Sequence, residues 1–490
     1  MLCIVTPGWP GSPAGIAAMK ADLDRLFDAL GCVHFASFAM LPPRPGEPAP
    51  PHPTLMFELA VDEGIATELL LQLLVARGES LLWELYFAGV PARAAVVAQE
   101  RAPLLAAWLA QHTSHASGGF VGARDRSVQQ IRREHALYVR ARTQAAMLDP
   151  RQRLEAATLT RELANWALAE PELAWARRPA PRSFWRAGGW RRIGRGALAA
   201  AAMVSFLLAV HVVHALLPCA LASFWRWLAA TGLALVLLAA AALTALLLTP
   251  LWLLLLSAVQ GPWRAWLRLL GRWHAREHRL GVQDVPRAHR VHPSVQACES
   301  ALSGLPNHII SLTEIRSPTA WHGGWLRLWL RLVTWAGRCI FVNGRLYKAE
   351  GVKYGHWHLL DGGRRLLFCS NYDGSFGGYL DEFIAGAAWG VNLFWRRTTL
   401  LKREPAASGQ PGALHDRDFP ATRFFARHGG CKYEQRFKAY ARDSMLPHLY
   451  RYQAYRHSHG EIERATRLRD ALFGRRNPVN DDAVARILES

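Results

Sequence analysis

Short apolar runs alternate along this chain with segments whose apolar residues return at helical spacing. LCIVT, CVHFASFAML and TLMFELAV are rich in aromatic and β-branched residues, and each reads as a strand. Between the first two, Met19, Leu23, Leu26, Phe27 and Leu30 share one helical face. The succession predicts a strand over 2–6, a helix over 16–30, strands over 32–41 and 55–61, a helix from 65 and a strand over 81–87. The segment PPRPGEPAPPHP between the middle strands cannot enter a ladder and reads as a loop.

The same succession returns near residue 305. NHIISLTEI reads as its first strand, 325–335 as a helix, 352–360 and 365–372 as the central strands, and 379–388 as the second helix, with VNLFWRRTT closing the unit. Laid without a gap, TLMFELAVDEGIATELLLQLL covers RLLFCSNYDGSFGGYLDEFIA. Leu55 then pairs with Leu366, Phe57 with Phe368, Asp62 with Asp373 and Leu69 with Leu380. A repeat of β-α-β-β-α-β predicts an α+β fold of two ferredoxin-like modules, packed sheet on sheet as an α+β barrel.

Between the copies lie the longest apolar stretches, ALAAAAMVSFLLAVHVVHALL and LAATGLALVLLAAAALTALLLTPLWLLLLSAV. Each exceeds the roughly 20 apolar residues that cross a hydrocarbon core, so a two-helix transmembrane hairpin is expected over 197–259. His211 and His214, three apart on one helical face, are candidates for association between hairpins in a homo-oligomer. Arginines flank the pair on both outer sides, from Arg177 to Arg195 and from Arg264 to Arg279. Retention of cations on the cytoplasmic side places both termini there, in a bacterial-type inner or plasma membrane. MLCIVTPGWPG lacks the basic start and apolar core of a signal peptide.

This layout divides the chain into a first module (1–90), a helical connector with a basic juxtamembrane end (91–196), the hairpin (197–259), a basic linker (260–304), a second module (305–400) and an aromatic, basic extension (401–490). In the connector, Val128, Ile131, His135 and Val139 mark a helix, and HASGG before it reads as a loop. The net charge of +20 points first to anionic membrane lipid. Nucleic acid is set aside, since the arginines alternate with Trp and Leu and no nucleic-acid-binding motif accompanies them. Seven cysteines without a CxxC pair indicate neither a zinc framework nor a disulfide framework.

Candidate chemistry gathers in three places. Asn371, Asp373 and Ser375 bring polar groups together beside glycines, where Asp373 can accept a proton, against the commoner role in which Asp373 or Ser375 caps the following helix. His356 and His358 alternate on one strand and share a face, and His34 lies on another strand; His34 and His356 are the first candidates for a metal, against the commoner role of a hydrogen-bonded core histidine. Trp325, Arg327, Trp329 and Arg331 give an amphipathic helix suited either to a bilayer surface or to core packing with its arginines turned to solvent.

Over 1–90 and 305–400 the chain resembles the dimeric α+β-barrel superfamily, and within it the dye-decolourising peroxidases. Asp373 and Gly374 in SNYDGS look like that family's distal Asp-Gly pair, although Ser370 or Asn371 stands where the family has an earlier glycine. The resemblance implies a haem, with His34, His356 or His358 near it, Arg396 or Arg397 as propionate partners, and no histidine assigned by motif as the proximal ligand. The function it implies is a membrane-anchored cytoplasmic oxidative enzyme, peroxidase-like, acting on a lipid or lipid-soluble substrate. The alternative is a cofactor-free membrane-anchored protein that binds or scaffolds an apolar ligand or protein partner.

Overall fold

A computed structural model describes residues 1–43, 52–88, 90, 96–148, 156–178, 306–316, 320–341, 351–401, 418–423, 426–473 and 486–488, together with positions 189, 193, 231, 232, 236, 346, 349 and 484. The strands in chain order are β1 (Leu2–Thr6), β2 (Val33–Leu41), β3 (Thr54–Val61), β4 (Thr113–His115), β5 (Gly118–Val121), β6 (Pro306–Ile315), β7 (Val352–Leu360), β8 (Arg365–Asp373), β9 (Thr398–Leu400), β10 (Thr422–Arg423), β11 (His428–Gly429) and β12 (His448–Gln453). The helices are α1 (Pro13–Ala18), α2 (Lys20–Leu30), α3 (Thr67–Phe87), α4 (Ala98–Gln111), α5 (Val128–Met147), α6 (Ala156–Ala169), α7 (Ala320–Cys339), α8 (Phe376–Gly386), α9 (Ala388–Trp395), α10 (Glu434–Asp443) and α11 (His459–Phe473).

Two five-stranded antiparallel sheets form the centre, ordered β12-β2-β3-β1-β4 and β5-β7-β8-β6-β9. Their central strands are buried at nearly every position instead of alternately. The reason is cover on both faces. Helices α2 and α3 lie over the first sheet, where Phe38 stacks on Phe57 at 4.4 Å and both belong to the core that includes Phe27 and Leu74. Toward the other sheet, Cys3, Ala39 and Met56 join Ile310, Leu312 and Cys369 in one apolar cluster. Helix α3 bends at Gly78, where a Cβ would stand 2.7 Å from Leu26 of α2, so the missing side chain is what lets the two helices meet.

The fifth strands are exchanged. β5, which follows the first module in the chain, pairs with β7 of the second; β12, which follows the second module, pairs with β2 of the first. Sheets of five strands therefore replace the four-stranded modules expected from the sequence. Residues 81–87, expected as a strand, are the second half of α3, where Trp83 and Phe87 lie one turn apart with rings 4.8 Å from each other. A short, mostly apolar run suits a buried helix as well as a strand. The fourth strand of that sheet is β4. Likewise, VNLFW belongs to α9 and only Thr398–Leu400 is extended, the helix expected over 16–30 breaks at Met19, and HASGG supplies the end of β4 and the start of β5.

The transmembrane hairpin is also corrected. Among the described residues no helix is long and apolar enough to cross a membrane. The longest are interrupted by charge: α3 carries Glu68, Arg77, Glu79 and Glu84, and α7 carries Arg327, Arg331 and Arg338. The inserted hairpin, and the inner- or plasma-membrane location with cytoplasmic termini inferred from it, are therefore not supported. Of 197–259, only Thr231, Gly232 and Val236 are described, and the remainder of that expectation lies outside the described residues.

The repeat extends beyond the two aligned segments. β2 and β7 each shift register at their second residue, between Val33 and Phe35 and between Val352 and Tyr354. The residue at each shift turns toward the aspartate ending the next strand: His34 Nε2 lies 2.9 Å from Asp62, and Lys353 Nζ lies 2.5 Å from Asp373. Each aspartate also accepts a backbone N–H from the helix that follows the exchanged strand, Asp62 from Val128 of α5 at 2.8 Å and Asp373 from His459 of α11. Ser127 and Ser458 cap the same two helices with their hydroxyls. Where α5 meets α11, Arg469 and Thr466 both donate to the buried Glu134.

These equivalent aspartates differ in what they leave behind when removed. Asp373→Ala strands a fully buried Lys353 and is expected to cost about 3–5 kcal/mol, whereas Asp62→Ala leaves a histidine able to stay neutral and costs about 1–2 kcal/mol. Urea unfolding of both variants checks the order, with Lys353→Met added to Asp373→Ala expected to recover part of the loss.

Candidate functional site

Alternation along TLMFELAV sends Glu58 to the face of β3 that meets the other sheet, in an otherwise apolar strand. Register sets Ser37 opposite Glu58 in the first sheet and His356 opposite Cys369 in the second. The facing sheets bring these pairs together. His356 Nε2 lies 2.7 Å from Glu58 Oε1; Ser37 donates to Oε2 at 2.7 Å, and His308 Nε2 stands 2.8 Å from the same oxygen. Behind His356, His358 Nε2 lies 2.9 Å from Nδ1 and Ser114 Oγ 3.3 Å from the Nδ1 of His358. Behind His308 stands His448, at 2.8 Å. A consistent proton assignment has every donor in this line pointing toward the Glu58 carboxylate.

Glu58 is 1% exposed, yet it is held as an anion. Burial alone would raise its pKa; the contacts with His308 and His356 outweigh that and hold it well below the usual carboxylate range. Burial, reinforced by neighbouring imidazoles, pushes His358 and His448 well below the ordinary histidine value. The Cys3 and Cys369 thiols go the other way, raised by burial and then by Glu58. One oxygen of Glu58, one nitrogen of His356 and the sulfur of Cys369 lie within 4.8 Å of one another.

A second polar group surrounds the paired aspartates. His34 Nδ1 lies 2.8 Å from the Tyr455 hydroxyl, the Lys353 ammonium donates to the His457 carbonyl, and the His457 and His135 rings stack at 3.6 Å. Burial and the adjoining His135 bring His457 down to about 4, with Glu461 opposing and Lys353 assisting.

On the outer face of the second sheet lies a cavity of about 560 Å³, enclosed by Ile309, Trp357 and Phe368 beneath and by α7, α8, α9 and α10 above. Its lining is carbon-rich and, among the described residues, includes no Lys, Arg, Asp, Glu or His. The hydroxyls there are already engaged: Ser311 with Ser444 at 2.6 Å, Tyr379 with Ser370 at 2.9 Å and Tyr440 with Thr398 at 2.7 Å. Trp357, 4% exposed, has no acceptor for its indole N–H. Leu332 and Trp389 both line the cavity and reach the surface, at 41% and 43% exposure, and so mark its mouth.

No family model, curated protein or solved structure matches this chain. The resemblance to peroxidases therefore rests on its own residues, and these divide. Ser375 is the N-cap of α8, its hydroxyl oxygen accepting the Gly378 N–H. Asp373 is the partner of Lys353 and the cap of α11, and Asn371 is buried with no partner for its Nδ2. His356 and His358 do meet, on Glu58, while His34 belongs to the other polar group. Arg396 and Arg397 occupy the turn between α9 and β9.

A haem does not fit these residues. Among the described residues no histidine lines the cavity, and His34 and His356 are both fully buried elsewhere. In α7, Trp329 lines the cavity and packs edge to face on Trp389, while Trp325, Arg327 and Arg331 are exposed. Sequence reasoning missed Glu58, His308, His448 and Cys369. A lone acid inside an apolar strand was the available signal.

His457 carries a pH dependence whose sign follows from its depressed pKa. An unfolded chain takes up a proton there as pH falls below about 6.5, while the folded one resists until about 4, so acidification removes stability across that window. With the ring half-buried, screening leaves on the order of 1–2 kcal/mol. Thermal unfolding between pH 7 and 5 is expected to fall less steeply in His457→Gln than in the native chain.

Proposed function

We propose that the protein binds an apolar small molecule in the cavity between the second sheet and α7–α10. The observation that carries this reading is the lining itself: about 560 Å³, within the usual range for small-molecule sites, walled by aromatic and aliphatic side chains with no charge among the described residues. A charged or strongly polar ligand would leave its water there for no compensating contact. A hydrocarbon chain or fused-ring compound exchanges its hydration for the faces of Trp329, Phe368, Phe383 and Phe394. The unsatisfied indole N–H of Trp357 offers one donor, suiting a ligand with a single carbonyl or ether oxygen. Leu332 and Trp389 supply an apolar entrance on α7 and α9.

The peroxidase-like reading draws no comparable support, since no histidine lines the cavity among the described residues. A binding protein needs neither iron nor a proton relay.

A fluorescent polyene fatty acid is the direct probe. Saturable binding with quenching of tryptophan emission is expected, because Trp329, Trp357, Trp389 and Trp395 all line the cavity. Gly390 also lines it, and a Cβ there meets nothing within 4 Å. Gly390→Phe is therefore expected to fill space without unfolding the chain and to weaken binding by about tenfold or more, roughly 1.4 kcal/mol. Linear, non-saturating uptake by the native protein would sink the reading.

A further inference from the structure

We propose that Glu58, His356 and Cys369 form a buried site for one divalent transition-metal ion of the zinc class, on the face of the second sheet opposite the apolar cavity. Three different donors converge there: a carboxylate oxygen, an imidazole nitrogen and a sulfur, all within 4.8 Å of one another and all on residues at most 1% exposed. Metal–ligand bonds of about 2.0–2.3 Å in a tetrahedral site set neighbouring donors roughly 3–4 Å apart. The Glu58–His356 contact of 2.7 Å opens slightly to reach that spacing.

The mixture of donors selects the ion. Thiolate and imidazole disfavour magnesium and calcium and favour zinc or its first-row neighbours. Cys3 lies opposite Glu58 in the register of the first sheet and is fully buried, which offers a second thiol on the same face. Binding releases the proton of Cys369 to solvent, moves the His356 proton from Nε2 to Nδ1 with the His358–Ser114 line reversing its donors to accept it, and places the ion in contact with an acid that no lysine or arginine touches among the described residues. With its proton on Nδ1, His356 donates to His358 Nε2 at 2.9 Å and is held as a ligand should be, while Ser37 and His308 fix the other oxygen of Glu58.

Two halves of the repeat build this site. Ser37 opposite Glu58 and His356 opposite Cys369 are the same pair of positions in the two sheets. The fold thus sets one module's acid against the other's thiol, so a donor set absent from either copy arises only where the sheets meet.

The test uses the full chain expressed in zinc- or cobalt-supplemented medium and purified without chelator. One ion per chain is expected, with X-ray absorption at the metal edge showing sulfur at about 2.3 Å alongside nitrogen or oxygen. The cobalt form is expected to show a thiolate-to-metal charge-transfer band that Cys369→Ser abolishes. His358→Gln is expected to weaken the metal about 10–100-fold. A native protein free of stoichiometric metal, or a metal shell without sulfur, overturns the proposal; both readings come from the native chain and hold even where Cys369→Ser fails to fold.

Discussion

Each half of this chain finishes the other's sheet, and the rest of the structure depends on that exchange. Without β12 the edge of β2 would present unpaired backbone groups, and without β5 so would β7. The swap fixes the faces of the two sheets toward each other, because β5 and β12 must leave one module and arrive at the next. It also delivers α5 and α11 to the aspartates that cap them. The interior is thereby divided into a layer between the sheets, where charge is gathered around Glu58, and a layer outside the second sheet, where it is excluded.

These two environments call for different chemistry from the same sheet. The side of β7 that carries His356 and His358 faces an anion and a thiol, while Trp357 between them faces hydrocarbon. A period of two along one strand accomplishes the separation. The proposed ligand and metal sites then share no side chain.

Much of this was legible in local pattern. The central strands of both modules lie where the apolar runs place them, and the ungapped match of Asp62 with Asp373 marks positions with the same structural duty. What could not be read was set at a distance. Residues 81–87 are apolar but for the exposed Glu84, too short a run to fix its own period, so their helical state follows from packing in the first core. The exchanged strands have partners far along the chain, beyond the reach of any local rule. The cavity draws its walls from Ile309 to Ser444. Glu58 was visible as an isolated acid, but its partners were not, since His308 and His356 reach it only when the sheets face each other.

The exchange also has a history during synthesis. β5 leaves the ribosome roughly 230 residues before β7, a wait of about 10–50 seconds at ordinary elongation rates. β2 waits longer still for β12, and its VHFASFAML edge carries no lysine or proline to discourage pairing with another chain. A nascent first half therefore spends its early life as an incomplete sheet with a sticky margin. Crowded polysomes, where many such halves emerge side by side, are the setting in which this architecture is most exposed to pairing with the wrong copy.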